Sequence, residues 1–547
     1  MNRREILKGL TILPFAGGFL PPDLDAVAAA PRGPLAAGPN IFQSIGVEPV
    51  INCVGTFTII GGSLERPEVS AASQAAAQHF VQYDELAFGV GQRLADLTKA
   101  EWGVVSSGCA GAENIFTLAC LTGGNPEKLL RIPDLSGFER TEVIIPVSSR
   151  NASDHAIRIT GVKIINVNTT EELIRSMSPR TAMIYVFANF PDLTQIAEKA
   201  KEFNIPILVD AAAEDLTIPN VHLQRGATAV CYSGGKALCG PQCAGLLLGR
   251  KDLLLSAWQA GSPHWGPGRT QKVGKEEIIG MLAAVEAWIA RDHDEKRKTW
   301  HSYLDTIAKR VSTIKGVTCK VKEPKGLGNA SPSLNISWDP EKFYISGRDI
   351  AEELATQQPR IAIHSAYRDE NARASGMGST SVVKGGAGTT SLTVSSGQMQ
   401  PGNDKLVADR IYEALSKKRS KPSELKAPAA NIVGRWDVEV EYYSSKSQHT
   451  FYIENQDSNW LRGSHKRDFC TREIVGLLEG DQIKLSSDDR QIADSLPYIF
   501  TGTISGDTMT GKIVMFGYLN AKFTATRFKK EALPVEIVVP KGEPLAT

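Results

Sequence analysis

Short apolar runs alternate with helix-like periodicity between residues 70 and 300. The runs cover residues 102–105, 143–146, 182–186, 205–209 and 229–232. Continuous apolar strands between helices are typical of strands buried on both faces. The pattern therefore predicts an α/β fold in which helices cover both sides of a parallel sheet.

A smaller mixed region follows. Residues 274–314 have the periodicity of one long helix or of two helices in series. Residues 333–338 alternate apolar and polar side chains as a half-buried strand does, and residues 403–415 again show a helical period. These elements predict an α+β region that ends near residue 418.

The composition changes near residue 420, where a stretch rich in Pro, Ala and Ser predicts an interdomain linker. Residues 431–530 then show only strand-like patterns, with turn signals at 455–459, 479–481 and 505–507. Short strands at this spacing predict an antiparallel barrel or sandwich. The strand candidates are residues 436–442, 450–453, 482–485, 501–504, 512–515 and 522–526.

The composition mainly excludes certain classes of protein. Hydrophobic residues make up 42% and charged residues 22% of the chain, as in an ordinary globular enzyme. The net charge of +1 lacks the basic excess of a nucleic-acid binder, and eight cysteines in 547 residues are too few for a disulfide scaffold. The predicted segments are a leader (1–30), a large α/β domain (31–310), a small α+β subdomain (311–418), a linker (419–430), a β domain (431–530) and a tail (531–547).

The leader carries paired basic residues. Arg3 and Arg4 precede an apolar stretch at 9–20, and small residues follow at 27–30. The stretch is too short to span a bilayer as a mature helix. This order resembles a twin-arginine export signal, which implies export or a periplasmic location after folding in the cytoplasm, with any cofactor already loaded.

A carboxylate and a lysine follow two of the apolar runs. Asp210 comes directly after the run 205–209, and Lys236 follows the run 229–232 in a glycine-rich turn. Ligands of α/β sheets bind in the crevice outside the carboxyl ends of the strands, so both side chains are expected to reach one crevice. Pyridoxal 5'-phosphate chemistry requires a lysine amine for a Schiff base and a carboxylate that keeps the pyridine nitrogen protonated. Either residue alone would suggest a strand cap or a solvated side chain, but the combination favours a cofactor site.

A phosphate group needs a separate binding element. Ser107, Gly108 and Cys109 follow the run 102–105 and open a helical pattern. Small residues at a helix start present backbone N–H groups and a favourable dipole to an anion. The alternative is a closely packed helix start, but the Asp210 and Lys236 pair favours the phosphate site. Ser233 offers a further hydroxyl.

Residues 209–214 (VDAAAE) and 232–242 (YSGGKALCGPQ) resemble fold-type I pyridoxal-phosphate enzymes. They are most similar to the branch that contains selenocysteine synthase (L-seryl-tRNA selenium transferase) and D-glucosaminate-6-phosphate ammonia-lyase. The resemblance extends over residues 40–418 and implies a mostly parallel large domain, a small α+β domain and a homodimer or larger homo-oligomer. Further similar segments are residues 51–56, 90–94, 150–158, 268–277 and 399–402.

The resemblance also implies roles for other residues. His155 is the candidate for packing on the cofactor ring or positioning the substrate, unless it is an ordinary histidine beside a strand. Arg93, Arg150 and Arg269 are candidates for holding a substrate carboxylate or phosphate, with surface ion pairs as the alternative. Glu214 is a candidate for assisting proton transfer.

The predicted function is an exported pyridoxal-phosphate enzyme that acts on an amino acid or amino-sugar acid, preferably as a lyase that eliminates ammonia or water. Lys236 would also act as acid and base at the substrate α-carbon. Export and near-neutral charge argue against selenocysteine synthesis on transfer RNA. The alternatives are a transferase of aminotransferase or selenium-transferase type and a non-catalytic ligand-binding envelope protein.

The β domain is absent from that branch and resembles a small lipocalin-like barrel. The predicted partners are a small amino substrate, further copies of the chain and the twin-arginine export machinery. No nucleic acid, no stable membrane insertion and no metal site are predicted.

Overall fold

The computed structural model describes most of the chain between residues 33 and 529. The predicted export signal at 1–30 and the predicted tail at 531–547 lie outside the described residues. The described ranges are 33–35, 38–368, 389–421, 424–515 and 517–529.

A seven-stranded sheet forms the centre of the large domain, in the strand order β2-β8-β7-β6-β5-β3-β4. The predicted parallel arrangement holds for most pairs, but β8 runs antiparallel to both β2 and β7. A short connection explains this reversal, because β7 and β8 are joined by a glycine-rich turn instead of a helical crossover. The strands are β2 (Trp102–Ser106), β3 (Glu142–Pro146), β4 (Lys163–Val167), β5 (Thr181–Phe187), β6 (Ile207–Asp210), β7 (Ala229–Ser233) and β8 (Gly245–Gly249).

Helices cover both faces of this sheet, as predicted. One buried apolar cluster includes Leu94, Ile196 and Met281, and a second includes Phe116 and Leu254 on the opposite face. The helices of this part are α1 (Pro67–Ala76), α2 (Tyr83–Thr98), α3 (Gly108–Thr122), α4 (Pro126–Arg131), α5 (His155–Arg158), α6 (Thr170–Ser176), α7 (Leu193–Glu202), α8 (Val221–Gln224), α9 (Lys251–Ala260) and α10 (Lys275–Ala290). Short 3-10 turns lie at Gln43–Ile45, Thr58–Ile60, Val147–Ser149 and Ala152–Asp154.

The predicted long helical region consists of two helices. Helix α10 ends at Ala290, and α11 (His293–Val311) begins after Asp292, whose side chain accepts a hydrogen bond from the Glu295 N–H. This N-cap satisfies a backbone donor at the helix start and fixes the break between the two helices.

The small domain contains a five-stranded sheet in the order β1-β11-β12-β10-β9. Strand β1 comes from the N-terminal part of the chain and pairs in parallel with β11. Leu304, Trp338 and Ile411 are buried in its core. The elements are β1 (Ile51–Cys53), β9 (Thr318–Lys322), β10 (Ser333–Trp338), α12 (Pro340–Phe343), α13 (Gly347–Thr356), β11 (Ile361–Arg368), β12 (Thr389–Ser395) and α14 (Asn403–Ser416).

The C-terminal domain is a closed antiparallel barrel, which decides between the two predicted β architectures. Closure comes from the pairing of its first strand with its last. Trp436, Phe451 and Phe500 fill its interior. The strands are β13 (Gly434–Glu441), β14 (Lys446–Asp457), β15 (Trp460–Lys466), β16 (Thr471–Glu479), β17 (Gln482–Arg490), β18 (Ser495–Ser505), β19 (Thr508–Val514) and β20 (Ala521–Arg527), of which β15 and β16 had no predicted counterpart.

Among the described residues, no helix combines the length and the apolar character that crossing a membrane requires.

Candidate active site

The predicted lysine and aspartate lie at the carboxyl ends of neighbouring parallel strands. Asp210 is the last residue of β6, and Lys236 lies in the turn that follows β7. The turn requires glycine, because a Cβ at Gly234 would lie 2.6 Å from the Pro241 carbonyl oxygen and one at Gly235 would lie 2.8 Å from Gln242 Cα. Within the described part of the chain, the side-chain amine of half-buried Lys236 makes no hydrogen bond or ion pair, so it is free for covalent chemistry.

The start of α3 provides an anion-binding element. Ser107 is the N-cap, and its side chain makes no capping hydrogen bond. Gly108 has a φ of 67°, and nothing lies within 4 Å of the position where its Cβ would be. The first-turn N–H groups have no partner within the helix and lie at the positive end of a helix of 15 residues. Ser233 ends β7 and is half-buried.

Three groups hold the Asp210 carboxylate. The Tyr185 hydroxyl donates to Oδ2 at 2.8 Å, and the Ala212 N–H donates to Oδ1 at 2.9 Å. The Cys109 thiol lies 3.5 Å from Oδ1. Burial and the charge of Asp210 raise the pKa of Tyr185 well above its usual value, so the phenol keeps its proton. A carboxylate fixed in this way suits the protonated nitrogen of a pyridine ring.

Two cysteines lie behind the same carboxylate. The Cys109 and Cys231 Sγ atoms are 3.1 Å apart. The hydrogen bond with Cys231, together with burial, raises the pKa of Cys109 well above its ordinary value, so this thiol stays protonated. Cys109 was predicted at the helix start, whereas its contact with Cys231 was not predicted.

Glu113 is a site residue that the sequence analysis missed. It lies on α3, is 1% exposed, and its Oε1 is 3.2 Å from the Tyr185 hydroxyl. Burial first, then the charge of Asp210, raises its pKa well above that of an ordinary carboxyl group. The available signal was a charged residue within a largely apolar helical run.

The same cluster has the spacing of a metal site, although no metal was predicted. One ligand atom from each of Cys109, Glu113, Asp210 and Cys231 lies within 4.8 Å of the others.

Glu214 has a partner away from Asp210. Its Oε2 lies 2.7 Å from His222 Nε2, and both side chains are largely buried. Its backbone forms an isolated bridge with Gly328 of the small domain. The predicted role of Glu214 in proton transfer stays a prediction.

His155 and Arg150 lie on the segment after β3. The His155 side chain is 59% exposed, and its Nε2 lies 3.2 Å from Asp494 of the barrel. The Arg150 side chain is 6% exposed and pairs with Asp154 and Asn166. The structure thus directs His155 toward the barrel and gives the Arg150 charge a buried partner. Neither residue contacts Asp210.

The other two predicted arginines lie on exposed surfaces. Arg93 pairs with Glu286 at 2.8 Å, with both side chains about half exposed. The Arg269 guanidinium donates to the Pro263 carbonyl oxygen at 2.5 Å and lies 5.4 Å from the centroid of the Trp265 ring. Neither makes a contact with the Asp210 cluster.

The chain is similar to several known enzymes. It is 28% identical over 340 residues to D-glucosaminate-6-phosphate ammonia lyase of Salmonella typhimurium, a match that covers 58% of this chain and 87% of the relative. It is 27% identical over 342 residues to a 5'-C-glycyluridine monooxygenase-decarboxylase of a Streptomyces species, covering 58% and 83%. It is 27% identical over 349 residues to an L-seryl-tRNA(Sec) selenium transferase of Hyphomonas neptunium, covering 58% and 70%. No protein-family model matches the chain.

A solved structure of D-glucosaminate-6-phosphate ammonia-lyase has the same fold, with a TM-score of 0.58 and 23% identity over 69% of this chain and 98% of that chain. The predicted fold-type I architecture is thereby confirmed. The relatives are pyridoxal-phosphate-dependent enzymes, so the predictions of an enzyme and of this cofactor are confirmed as well. The match covers nearly all of the solved chain and leaves about a third of this chain unmatched.

Proposed function

We propose that the protein is an exported pyridoxal-phosphate-dependent lyase that eliminates ammonia or water from an amino acid or amino-sugar acid. The observation that carries the proposal is the placement of Asp210 and Lys236 at the carboxyl ends of β6 and β7. The name of the ammonia-lyase relative supports the reaction type and the substrate class.

The residues present fit the cofactor. When bound, pyridoxal phosphate withdraws electrons from the substrate α-carbon. Ser107, Ser233 and the N–H groups of the α3 start would bind its phosphate. Asp210, held by Tyr185, would hold the proton of the ring nitrogen. The Lys236 amine would then move the proton at the α-carbon, because it has no competing partner in the described part of the chain.

Substrate-binding roles for Arg93, Arg150 and Arg269 remain part of the proposal. The Arg269 guanidinium lies beside the exposed Trp265 ring and pairs with no acidic group within the described residues, whereas Arg150 already neutralises buried Asp154. His155 would act at the edge of the crevice beside the barrel. Glu214 would assist proton transfer only after leaving His222.

The cofactor assignment is tested by visible absorption of the purified protein. We expect a band that borohydride removes, and we expect Lys236→Ala to lack it after incubation with pyridoxal phosphate. Lys199→Ala is the matched control, because Lys199 is an exposed lysine whose ion pair among the described residues is with Glu202. Absence of the band in the parent, or its persistence in Lys236→Ala, would refute the assignment.

The reaction type is tested by product analysis. Amino-sugar acids and amino acids, with and without a phosphate group, are incubated with the holoenzyme, and ammonia and the oxo-acid product are measured. The name of the second relative makes an oxygen-dependent decarboxylation the alternative. Ammonia release that continues under anaerobic conditions supports the lyase, whereas turnover that requires oxygen and releases carbon dioxide supports the alternative.

Export and assembly are further parts of the proposal. Replacement of Arg3 and Arg4 by lysine should retain the protein in the cytoplasm if the leader is a twin-arginine signal. Exposed apolar side chains such as Phe80 and Trp265 are available for contacts between copies in the proposed homo-oligomer. Light scattering of the mature protein measures the number of copies.

A further inference from the structure

Glu113 has a buried carboxyl oxygen without a hydrogen-bond partner in the described part of the active site. The side chain is fully enclosed, and its Oε2 has no hydrogen-bond partner. Its Oε1 faces the Tyr185 hydroxyl at 3.2 Å. A buried carboxylate without hydrogen-bond donors is strongly unfavourable. The Glu113 group must therefore either carry a proton, which removes its charge, or bind another ligand.

Tyr185 cannot supply the missing donor. A tyrosine hydroxyl has one hydrogen, and the shorter contact, 2.8 Å to Asp210 Oδ2, takes it. The Tyr185 oxygen still accepts hydrogen bonds, and the Asn151 amide lies 3.4 Å from it. The contact between Glu113 and Tyr185 is therefore a hydrogen bond only if Glu113 is the donor.

We propose that Glu113 is a positioning residue that keeps its proton at neutral pH and donates it to Tyr185, so that the single hydrogen of Tyr185 stays on Asp210. The chain of donors then runs from Glu113 to Tyr185 to Asp210, and the negative charge of the cluster is confined to Asp210. Its consequence for catalysis rests on the proposed function, because only a bound pyridine ring makes the charge of Asp210 useful.

The groups around Glu113 favour the protonated form. Asp210 on β6 and Asp154 on the 3-10 turn before α5 are anions that oppose a further negative charge. The thiols of Cys109 and Cys231 face the same space. The cation Lys236 acts in the opposite direction but has a smaller effect than burial and Asp210, so the pKa of Glu113 is raised.

The first test uses the protein without cofactor, so it does not depend on the proposed function. Free energies of unfolding are measured by denaturant titration from pH 5 to 8 for the parent and for Glu113→Gln. The folded state keeps a proton that an unfolded glutamate releases above its ordinary pKa of about 4.3. The stability that this proton provides is thus complete below that pH. The free energy of unfolding decreases as the pH rises above it, because the unfolded chain releases a proton that the folded state keeps. We expect the unfolding constant of the parent, divided by that of Glu113→Gln, to rise with pH, by up to about tenfold per pH unit.

The second test measures pyridoxal-phosphate affinity at pH 7. Glu113→Gln restores a donor, because its amide N–H points where the carboxyl hydrogen did, whereas Glu113→Met has similar length and no donor. We expect Glu113→Met to bind about tenfold more weakly than Glu113→Gln, the effect of one hydrogen bond to a charged network. Glu113→Met also serves as the pH-independent reference if Glu113→Gln does not fold.

Two results would overturn the proposal. One is a ratio of unfolding constants that does not change with pH, which would mean that Glu113 titrates as in the unfolded chain. The other is stoichiometric Zn²⁺ binding to the cofactor-free parent that is lost in Glu113→Gln, because the four ligand atoms would then hold a metal and Glu113 would be ionised. Failure of the parent to bind pyridoxal phosphate would refute the proposed function and leave the pH test intact.

Discussion

Gly245 lies directly behind the predicted phosphate site and should tolerate no side chain. It is the first residue of β8, and a Cβ there would lie 2.4 Å from both C and O of Gly108 and 2.7 Å from Ser106 Oγ. Strand β8 is held on both sides by β2 and β7. Gly108, in contrast, faces open space on its other side. In Gly245→Ala the start of α3 is therefore the part that must move.

The size of the effect follows from the contact distance. Carbon atoms in ordinary contact are about 3.5–4.0 Å apart, so the α3 start would have to shift by roughly 1 Å. Overpacking of this kind costs about 1–3 kcal/mol. If the shift falls on the groups that bind the phosphate, that cost corresponds to about 5- to 140-fold weaker cofactor binding.

The assay is a titration of cofactor-free protein with pyridoxal phosphate, followed by absorbance, together with the free energy of unfolding. Gly89→Ala is the control, because Gly89 is exposed within α2 and nothing lies within 4 Å of its missing Cβ. This control should keep its affinity and gain about 0.5–1 kcal/mol of stability. Parent-like affinity in Gly245→Ala would refute the placement of the phosphate at the α3 start.

Two further predictions concern the barrel. Asp494→Asn removes the carboxylate that Arg158 contacts at 3.1 Å and should lower stability by at most about 1 kcal/mol, because the pair is partly exposed. This loss of stability should shrink in about 1 M salt. Asp507→Asn is the control, and an equal loss in that variant would show that the contact between domains is not responsible. Burial lowers the pKa of His465 to about 2, so this ring is neutral in the fold and charged in the unfolded chain below about pH 6.5. The contribution of His465 to stability should be constant above that pH and fall by about 1.4 kcal/mol per pH unit below it. A thermal unfolding series in which His465→Gln has the same acid dependence as the parent would contradict this assignment.

Several features of the protein were predictable because they depend on residues close together in the chain. An apolar run followed by Asp210, and another followed by Lys236, identify strand ends and the polar groups placed there. Parallel strands bring such ends to one edge of a sheet whatever the details of packing. The small-residue start of α3 and the turn signals of the barrel were equally local.

Other features depended on contacts between distant residues. Tyr185 reaches Asp210 across 25 residues of sequence and Glu113 across 72, and no local pattern links the three. The direction of β8 and the closure of the barrel likewise follow from strand pairing.

The predicted roles of isolated side chains were the least accessible from sequence. His155 and Arg158 meet Asp494, which lies 336 residues beyond Arg158 in the chain. The sequence by itself determined the layers of the fold and which strand ends carry chemical groups, because these follow from local hydrophobic periodicity. The tertiary structure decided which polar groups share a proton, because hydrogen bonds form over about 3 Å and that distance is fixed only when separate strands and helices pack together.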